Sequence, residues 1–379
     1  MSRLEELIQQ HCPDGVEYKK LEDCCQIWDS KRKPITKGSR VAGEYPYYGA
    51  NGIQDYVADY IFDGKYVLVG EDGSVITPNG TPVVNWAEGK IWVNNHAHII
   101  SEKEGTLLRY LFHYLQTVNI TPLIHGNIPK LTGGDFRALD IPVPPLPVQE
   151  EIVRILDNFA ELQAELQAEL QKRLQQYNYY RDKLLSFNDL NGGGYAVSVE
   201  WKKLGEICNL SRGKVYSKSY IEENAGEYPV YSSQTANNGE LGRISTYDYD
   251  GEYLTWTTDG AYAGTIFYRR GKFSITNVCG LISPKEDNLN IKFLFYWLSI
   301  KAPDYVYRGM GNPKLMSNQM EPIKVPIPPL AEQQRIVDIL DRFHALTTDI
   351  TAGLPAEIEA RRKQYEYYRD QLLTFKQKA

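Results

Sequence analysis

Cationic and amide side chains bind phosphates and base edges, and this chain of 379 residues concentrates them in two places. In the first, residues 28–40 hold five cations against one acid, and a segment rich in tyrosine, amides and glycine follows. The candidate residues there are Lys31, Arg32, Lys33, Lys37, Arg40, Tyr47, Tyr48, Asn51 and Gln54. Glycine lets a backbone approach a ligand closely, although a single basic run is more often an ordinary solvated loop.

The same arrangement returns in the second half of the chain. The candidate residues there are Arg212, Lys214, Tyr216, Lys218, Tyr231, Ser232, Gln234, Asn237, Asn238 and Arg243. In both places the basic stretch precedes the tetrapeptide GEYP and the amide-rich stretch follows it. This recurrence favours DNA contact over a solvated loop. A second recurring pair, Asn127 with Lys130 and Asn312 with Lys314, fits a base and a phosphate contact or a structural turn equally well.

These recurrences belong to a tandem duplication of almost the whole chain. The hexapeptide VEYKKL at Val16 returns as VEWKKL at Val199, and YNYYRDKLLSF at Tyr177 returns as YEYYRDQLLTF at Tyr365. Two copies in one polypeptide can be related by a pseudo-twofold axis, as in a homodimer, while each copy is free to diverge.

The composition is that of two ordinary globular domains, with 42% hydrophobic and 24% charged residues. Short runs with β-branched residues, including residues 65–70, 90–100, 252–258 and 264–270, predict strands. Residues 107–116 and 291–300 predict short helices. Each copy is therefore expected to hold an α+β domain with a mixed or antiparallel sheet. Trp256, at the end of one predicted strand, is interpreted as a core residue.

A long helical segment follows each domain. Proline-rich hinges at residues 141–147 and 325–331 are predicted to be stiff extended connectors, neither helix nor central strand. Residues 148–187 have apolar residues at helical spacing, which predicts a helix of about 38 residues and roughly 57 Å. The second copy supplies a partner helix, broken near Leu354 by Gly353 and Pro355. We expect an antiparallel coiled coil; two independent helical hairpins are the alternative.

With this repeated order of domain, hinge and helix, the chain resembles the specificity subunit of type I restriction–modification enzymes. The resemblance rests on PPLPVQEEIVRIL (Pro144 to Leu156), PPLAEQQRIVDIL (Pro328 to Leu340), RRKQYEYYRDQLLTF (Arg361 to Phe375) and the paired domain plan. It implies target-recognition domains at residues 1–147 and 191–330, a first spacer helix with its linker at residues 148–190, and a second spacer helix at residues 331–379. The residues NDLNGGG at 188–194 separately predict a flexible linker into the second copy. In one departure, Pro147 and Val148 stand where the second copy has Ala331 and Glu332.

The resemblance also implies partners and a division of labour. Each domain would read one half of a split site on double-stranded DNA, and the site would be asymmetric because the two domains share little sequence. The helices would set the half-site distance and dock two methyltransferase subunits, with nuclease or translocase subunits as an option. The chain itself would be non-catalytic and bind no cofactor. S-adenosylmethionine, ATP and Mg2+ would belong to partners that methylate adenine N6 and, with a nuclease, cleave DNA.

The residues give no sign of chemistry in this chain. The sequence has no GxxxxGK[ST] loop, no glycine-rich dinucleotide fingerprint and no amino-methyltransferase tetrapeptide. Pro13, Asp14, Glu17 and Lys19 superficially resemble a nuclease set but stand too close together along the chain to converge on a metal. His96 and His98 lack an accompanying cluster of ligands, so no metal site is expected. The competing function is a scaffold whose tyrosine-rich domains bind protein or carbohydrate.

Charge and cysteine usage complete the sequence-based expectations. A net charge of −6 argues against a free-standing nucleic-acid binder, unless the cations line one face while the helices carry the acids. No run of about 18 apolar residues is present, so no membrane span is expected. Five cysteines without metal-like spacing are typical of reduced thiols, which predicts a cytoplasmic protein.

Overall fold

The structure is a computed structural model that describes residues 2–73, 75–187, 199–309, 311–349 and 351–378. The linker predicted at residues 188–194 lies outside the described residues.

The two copies share most of their elements, in the same order. The first copy contains α1 (Arg3–His11), β1 (Glu17–Lys20), α2 (Leu21–Cys24), β2 (Cys25–Ile27), β3 (Ala42–Gly49), β4 (Gly52–Val57), β5 (Phe62–Gly70), β6 (Val84–Val93), β7 (Ala97–Glu102), α3 (Leu108–Leu115), β8 (Ile124–His125), β9 (Lys130–Leu131), α4 (Gly133–Arg137), β10 (Asp140–Val143) and α5 (Leu146–Leu184). The second contains β11 (Glu200–Lys203), α6 (Leu204–Ile207), β12 (Cys208–Arg212), α7 (Lys218–Glu223), β13 (Ala225–Tyr231), β14 (Glu240–Ile244), β15 (Tyr249–Thr257), β16 (Ile266–Ile275), β17 (Cys279–Pro284), α8 (Ile291–Lys301), α9 (Ser317–Met320), β18 (Lys324–Ile327), α10 (Leu330–Thr348) and α11 (Leu354–Leu372).

A six-stranded sheet forms the centre of each recognition domain. The strand order is β2-β7-β5-β6-β3-β4 in the first domain and β12-β17-β15-β16-β13-β14 in the second. The pairs β3–β6 and β13–β16 are parallel, and the other pairs within these sheets are antiparallel. The mixed sheet predicted from the sequence is therefore confirmed, and the duplication extends to the strand order.

The hinges differ in part from their predicted structure. Residues 141–143 belong to β10, which pairs with β1, and β18 pairs with β11 in the same way. Each pair is a two-stranded sheet, in which both strands are edge strands. A proline can occupy an edge strand at a position where no N–H is needed for pairing. Leu146 and Pro147 already belong to the first turn of α5, where a proline without a donor is tolerated.

The long helices follow the prediction closely. α5 is uninterrupted over 39 residues, which corresponds to about 58 Å at 1.5 Å per residue. The second helix is broken between α10, which ends at Thr348, and α11, which begins at Leu354. Gly353 lies at this break, and a Cβ there would lie 2.6 Å from the carbonyl oxygen of Ala345.

The chain divides into two compact units, and each combines parts of both copies. The first consists of residues 1–168 and 357–379, and the second of residues 169–356. In the first unit Phe159 of α5 stacks on Tyr368 of α11, with ring centroids 5.5 Å apart. In the second unit Phe343 of α10 stacks on Tyr180 of α5 at 5.7 Å. Equivalent residues therefore make both contacts, with the roles of the two copies exchanged.

Helix direction follows from the cores of the units. In the first unit Val148, Ile152 and Leu156, near the start of α5, share a buried cluster with Leu373, just after the end of α11. In the second, Leu184 at the end of α5 shares a cluster with Ile336 near the start of α10. The start of one helix meets the end of the other in both units, as in antiparallel packing, which confirms the predicted pairing.

The C-terminal tail is tied to the first recognition domain. The amide of Val16 donates to the carbonyl of Lys376 at 2.9 Å, and the amide of Lys378 donates to the carbonyl of Val16 at 2.8 Å. The Tyr18 hydroxyl donates to the carbonyl of Phe375 at 3.0 Å. The last residues of the second copy thus complete the sheet edge at which the first copy begins.

A buried glutamine attaches each recognition domain to the helix that follows it. Gln149 is 0% exposed; its oxygen accepts from the Leu107 amide at 2.9 Å, and its amide donates to the carbonyls of Gly105 (3.1 Å) and Pro144 (2.7 Å). Gln333 repeats the pattern in the second unit. It is also 0% exposed, accepts from Asn290 at 2.8 Å, and donates to Asn288 (3.0 Å) and Pro328 (2.9 Å).

An aspartate on the same helix makes a second attachment. Asp157 accepts from Arg109 at 2.8 Å and contacts the His113 ring at 2.7 Å. Asp341 accepts from Lys292 at 2.5 Å and Tyr296 at 2.6 Å. Burial opposes the ionised form of Asp157, but the contacts with His113 and Arg109 outweigh burial and lower the pKa of Asp157. Each recognition domain is thus fixed to its helix at two points.

We expect Gln149→Leu or Gln333→Leu to lower the free energy of unfolding by about 2–4 kcal/mol, because each change leaves one buried and two partly buried backbone groups without a partner. Gln167→Leu, at an exposed position of α5, is the matched control and should change stability by less than about 0.5 kcal/mol. Urea unfolding followed by tryptophan fluorescence measures the difference. Equal effects at positions 149 and 167 would contradict the role of the buried amide.

Candidate nucleic-acid interface

The basic loop of the first unit is held by an ion network around Arg32. Arg32 is 12% exposed at its side chain and donates to Glu71 at 2.6 Å and to the carbonyl of Ala97 at 2.7 Å. Glu71 also pairs with Lys130 at 3.3 Å. Two predicted cations from distant segments, Arg32 and Lys130, are therefore brought together by an acid that the sequence analysis did not single out.

Asp29 and His98 complete this network. Asp29 contacts His98 Nδ1 at 2.7 Å, and the other ring nitrogen of His98 lies 3.0 Å from the carbonyl oxygen of Leu131. Burial opposes the ionised form of Asp29, but hydrogen bonds from His98 and the Ile99 amide, with the charge of Arg32, outweigh burial and lower its pKa. The network fixes the basic loop against the strand that carries His98.

The group Asp29, Glu71 and His98 has ligand atoms within 4.8 Å of one another, a spacing that a metal ion would need. Arg32 lies 3.7 Å from Asp29 and 2.6 Å from Glu71. Both ring nitrogens of His98 already face oxygen atoms. The group is thus filled by protein cations and hydrogen bonds, and we assign it a structural role.

Two predicted contact residues, Tyr47 and Tyr48, lie in the core, so the prediction is corrected for them. Tyr47 is 1% exposed and its hydroxyl accepts from the Ile35 amide at 2.9 Å. Tyr48 is 8% exposed and packs in a buried cluster. Arg40 lies over the Tyr47 ring at 4.2 Å and pairs with Asp55 at 3.2 Å. These side chains therefore pack against the basic loop and stabilise its position.

The remaining cations of this loop face solvent. Lys31, Lys33 and Lys37 are exposed, and the Lys31 ammonium lies 4.3 Å from the centre of the Trp28 ring. The backbone beneath them is fixed, because the Trp92 indole donates to the carbonyl of Lys33 at 2.7 Å. A firmly held backbone that presents mobile ammonium groups suits phosphate contact.

Three other predicted residues line one cleft of the first unit. This cleft, of about 520 Å³, is lined by Ala50, Asn51, Gln54, Asp72, Gly73, His96, Ile128 and Lys130. Asn51 lies in the β3–β4 turn, Gln54 lies on β4, and Lys130 lies on β9. Asn127 is exposed in the turn between β8 and β9. The cleft combines amides, a cation and an exposed apolar side chain, Ile128, at 68% exposure.

The basic loop of the second unit is fixed by a different acid. Asp248 accepts from Lys214 at 2.5 Å and from the Tyr216 hydroxyl at 2.6 Å. Burial opposes the ionised form of Asp248, but these hydrogen bonds outweigh burial and lower its pKa. Arg212 contacts the sulfur of Met316, and Lys218 is exposed in the first turn of α7.

The amide-rich loop that follows GEYP in the second unit is largely exposed. Gln234, Asn237, Asn238 and Arg243 face solvent. Arg243 pairs with Glu240 at 2.8 Å, while Tyr231 and Ser232 are half-buried. The Ser232 amide donates to the carbonyl of Gly239 at 2.9 Å, which closes the loop.

The segment before each hinge forms the same structure in both units. The backbones of Lys130 and Asp72 form an isolated antiparallel β-bridge, and the Gly73 amide donates to the Pro129 carbonyl at 3.0 Å. The backbones of Lys314 and Asp259 form the same kind of bridge, and the Gly260 amide donates to the Pro313 carbonyl, also at 3.0 Å. Lys314 and Asn312 are exposed. Both predicted interpretations are compatible with this arrangement, because the backbone forms a turn while the side chains of Asn127, Asn312 and Lys314 are exposed and that of Lys130 pairs with Glu71. Trp256 is 0% exposed, which confirms its interpretation as a core residue.

Sequence reasoning missed the residues that hold the loops. Glu71 and Asp248 stand 39 and 34 residues from their partners Arg32 and Lys214, and no motif marks them. Arg269 was also missed. It is 2% exposed on β16, although its neighbour Arg270 is 79% exposed at its side chain. The available signal was the alternation along β16, which places Arg269 on the face opposite to that of its exposed neighbour Arg270.

A duplicated α+β domain with exposed cations and amides at equivalent places defines a DNA-recognition class of protein. Comparison with known proteins agrees. Residues 13–176 and 197–360 each match the type I restriction modification DNA specificity domain. The chain is 37% identical to a putative type I restriction enzyme specificity subunit of Haemophilus influenzae, over 95% of this chain and 96% of that protein. It is 43% identical to a putative type I specificity subunit of Mycoplasma pneumoniae, over 66% of this chain and 92% of that protein.

Two solved structures share the fold. One is the S subunit of a type I restriction-modification system from M. genitalium, with a TM-score of 0.60 and 17% identity over 94% of this chain and 95% of that chain. The other comes from a study of complex assembly and conformational transition of the type I R-M system, with a TM-score of 0.56 and 18% identity over 95% and 98%. The chain belongs to the family of type I restriction–modification specificity subunits. Among the described residues, no helix is long and apolar enough to span a bilayer.

The two kinds of cation in the first basic loop should respond differently to removal. Lys33→Ala should weaken DNA binding without changing stability and reduce the slope of log affinity against log salt by about one, as for one phosphate contact. Arg32→Ala should instead lower the free energy of unfolding by about 3 kcal/mol, because it leaves Asp29 and Glu71 without their shared cation. Gel-shift titrations at several salt concentrations, with thermal unfolding, measure both. An unchanged salt slope for Lys33→Ala would refute the phosphate contact.

Proposed function

We propose that the chain recognises DNA as two unlike half-sites, one for each recognition domain, within a type I restriction–modification complex. The observation that carries this proposal is the combination of an identical strand order with different exposed side chains at equivalent places. The backbone plan repeats, so both domains suit the same kind of ligand. The side chains differ, so the bases that they contact should differ.

The cleft in the first unit illustrates the difference. Asn51, Gln54 and Lys130 line it, and asparagine and glutamine amides can pair bidentately with adenine, whereas lysine suits guanine or a phosphate. In the second unit the corresponding loop carries Gln234, Asn237 and Asn238, and Thr258 takes the place of Glu71 beside the pre-hinge turn. We infer an asymmetric bipartite target.

The spacer helices give the proposed target its gap. A rigid helix of 39 residues cannot change length without unfolding, and it carries the attachments Gln149 and Asp157 near its start. The helix length of about 58 Å corresponds to about 17 base pairs at 3.4 Å per pair. We propose that the helices set this distance and also dock two methyltransferase subunits.

We propose that partner subunits carry out methyl transfer and DNA cleavage. In this proposal the chain is a non-catalytic specificity subunit in the cytoplasm and binds no cofactor. Transfer of a methyl group from S-adenosylmethionine to adenine N6 would belong to the methyltransferase subunits. ATP-dependent cleavage with Mg2+ would belong to a nuclease subunit where one is present.

A coiled-coil scaffold with two ligand- or protein-binding domains is the second candidate. The observation in its favour is a larger cleft of about 820 Å³ in the first unit, lined by Lys65, Tyr66, Trp86, Ser101, Glu102, Leu108, Arg109, Val153 and Asp157. None of the predicted DNA contacts lines this cleft. A scaffold would not require the duplicated cation and amide loops, and family membership favours DNA recognition.

Exchange of residues 16–145 for the same block of a relative tests the proposal. Methylated adenines are mapped in a host that expresses the chimaera with the methyltransferase. One half of the split motif should change, while the other half and the gap stay the same, because the second domain and α5 are untouched. The matched control exchanges residues 199–329 and should change the opposite half. A motif that is unaffected by both exchanges would contradict the proposal.

A further inference from the structure

Arg269 is a buried arginine that packs against aromatic rings and forms no ion pair among the described residues. Its side chain is 2% exposed, and Nη1 and Nη2 are without a hydrogen-bond acceptor. Nε alone is engaged, donating to the Thr255 hydroxyl at 3.1 Å. Burial lowers the pKa of Arg269, but an arginine remains charged at neutral pH. Buried donors without acceptors lower the stability of a fold, and the cation–π contact with Tyr231 offsets part of that cost.

The first unit supplies an internal comparison. The Gly64–Gly89 pair of its central hairpin corresponds to Gly251–Gly271 in the second. Counted from these glycines, Arg269 stands where the first unit has Ala87, and Thr255 stands where it has Leu68. Ala87 and Leu68 are buried in an apolar cluster. The fold therefore tolerates an apolar core at this place, and the second domain carries a polar pair there instead.

The guanidinium is held in a fixed orientation. Its central carbon lies 3.6 Å from the centre of the Tyr231 ring and 4.5 Å from that of Phe267. With Nε bound to Thr255, the free Nη1 and Nη2 form a rigid fork of donors. Exposed lysines such as Lys218, by contrast, are flexible point charges, which suit phosphates better than base edges.

A single turn of the exposed amide-rich loop covers this fork. A Cβ on Gly239 would lie 2.9 Å from Nη2 of Arg269, so this glycine closes directly over the guanidinium. Asn237 and Asn238, which precede it, have φ of 50° and 51°, and Gly239 has φ of 78°. Successive left-handed residues are strained. Opening the turn would relieve this strain and expose the fork.

We propose that Arg269 is a specificity-determining residue of the second domain that donates from its two free nitrogens to the O6 and N7 atoms of a guanine when the turn Ala236–Gly239 opens on DNA. This inference rests on the proposed function. Guanine presents two acceptors at the spacing of an arginine fork. A fixed fork suits base readout, because sequence discrimination requires a defined direction for each donor.

The test uses the full chain with its methyltransferase and a randomised duplex DNA library, from which the bound fraction is sequenced. Arg269→Ala should reduce the preference for guanine at one position of one half-site by about 5- to 150-fold and leave the other half-site unchanged. Its melting temperature should equal or exceed that of the parent chain, because two buried donors without acceptors are removed. The control Arg270→Ala should leave both half-sites intact.

A second variant guards against loss of folding. The pair Thr255→Leu with Arg269→Ala reproduces the residues of the first unit at both positions, and should fold and show the same selective loss. A uniform loss across sequences, with a lower salt dependence, would indicate a phosphate contact and overturn the assignment. Unchanged preferences, or a loss at both half-sites with a lower melting temperature, would make Arg269 purely structural. If the parent chain selects no motif, the proposed function fails instead.

Discussion

The buried amides of Gln149 and Gln333 are the constraint on which the architecture depends. Each satisfies an otherwise unpaired amide at the start of a domain helix and two carbonyls, one of them in the hinge. Hydrogen bonds of this kind are directional, and those to the carbonyls of Pro144 and Pro328 are buried, where water does not replace a lost partner. They fix the angle at which each domain joins the helix that follows it.

Duplication would let one backbone plan contact both half-sites of the proposed DNA target. The stacked pairs Phe159–Tyr368 and Phe343–Tyr180 exchange helices between the copies, so neither unit is built from one copy alone. Residues that hold the frame agree between copies, as with the glutamine and aspartate attachments. Residues on and beneath the exposed loops differ, as with Ala87 and Arg269. The division between common frame and divergent loops is what a protein with one set of partners and two unlike half-sites requires.

Much of the frame could be predicted from the sequence, because it depends on local periodicity. The 3.6-residue spacing of apolar residues predicted α5, and Gly353 and Pro355 predicted the break before α11. The hinge strands were missed because a proline excludes a central strand but not an edge strand. Tyr47 was assigned to the surface because tyrosine suits both cores and interfaces. Arg32 was predicted to contact DNA because its acidic partner Glu71 is distant in sequence and comes into contact with it only after folding.

Selection from randomised duplex DNA by the intact chain with its methyltransferase tests the central claim most directly. The account predicts one split motif, with two unrelated halves separated by an unspecified gap of constant length. A palindromic motif would contradict the unlike recognition domains. A gap of variable length would contradict the fixed attachment of each domain to its helix, and the absence of any enriched sequence would contradict DNA reading itself.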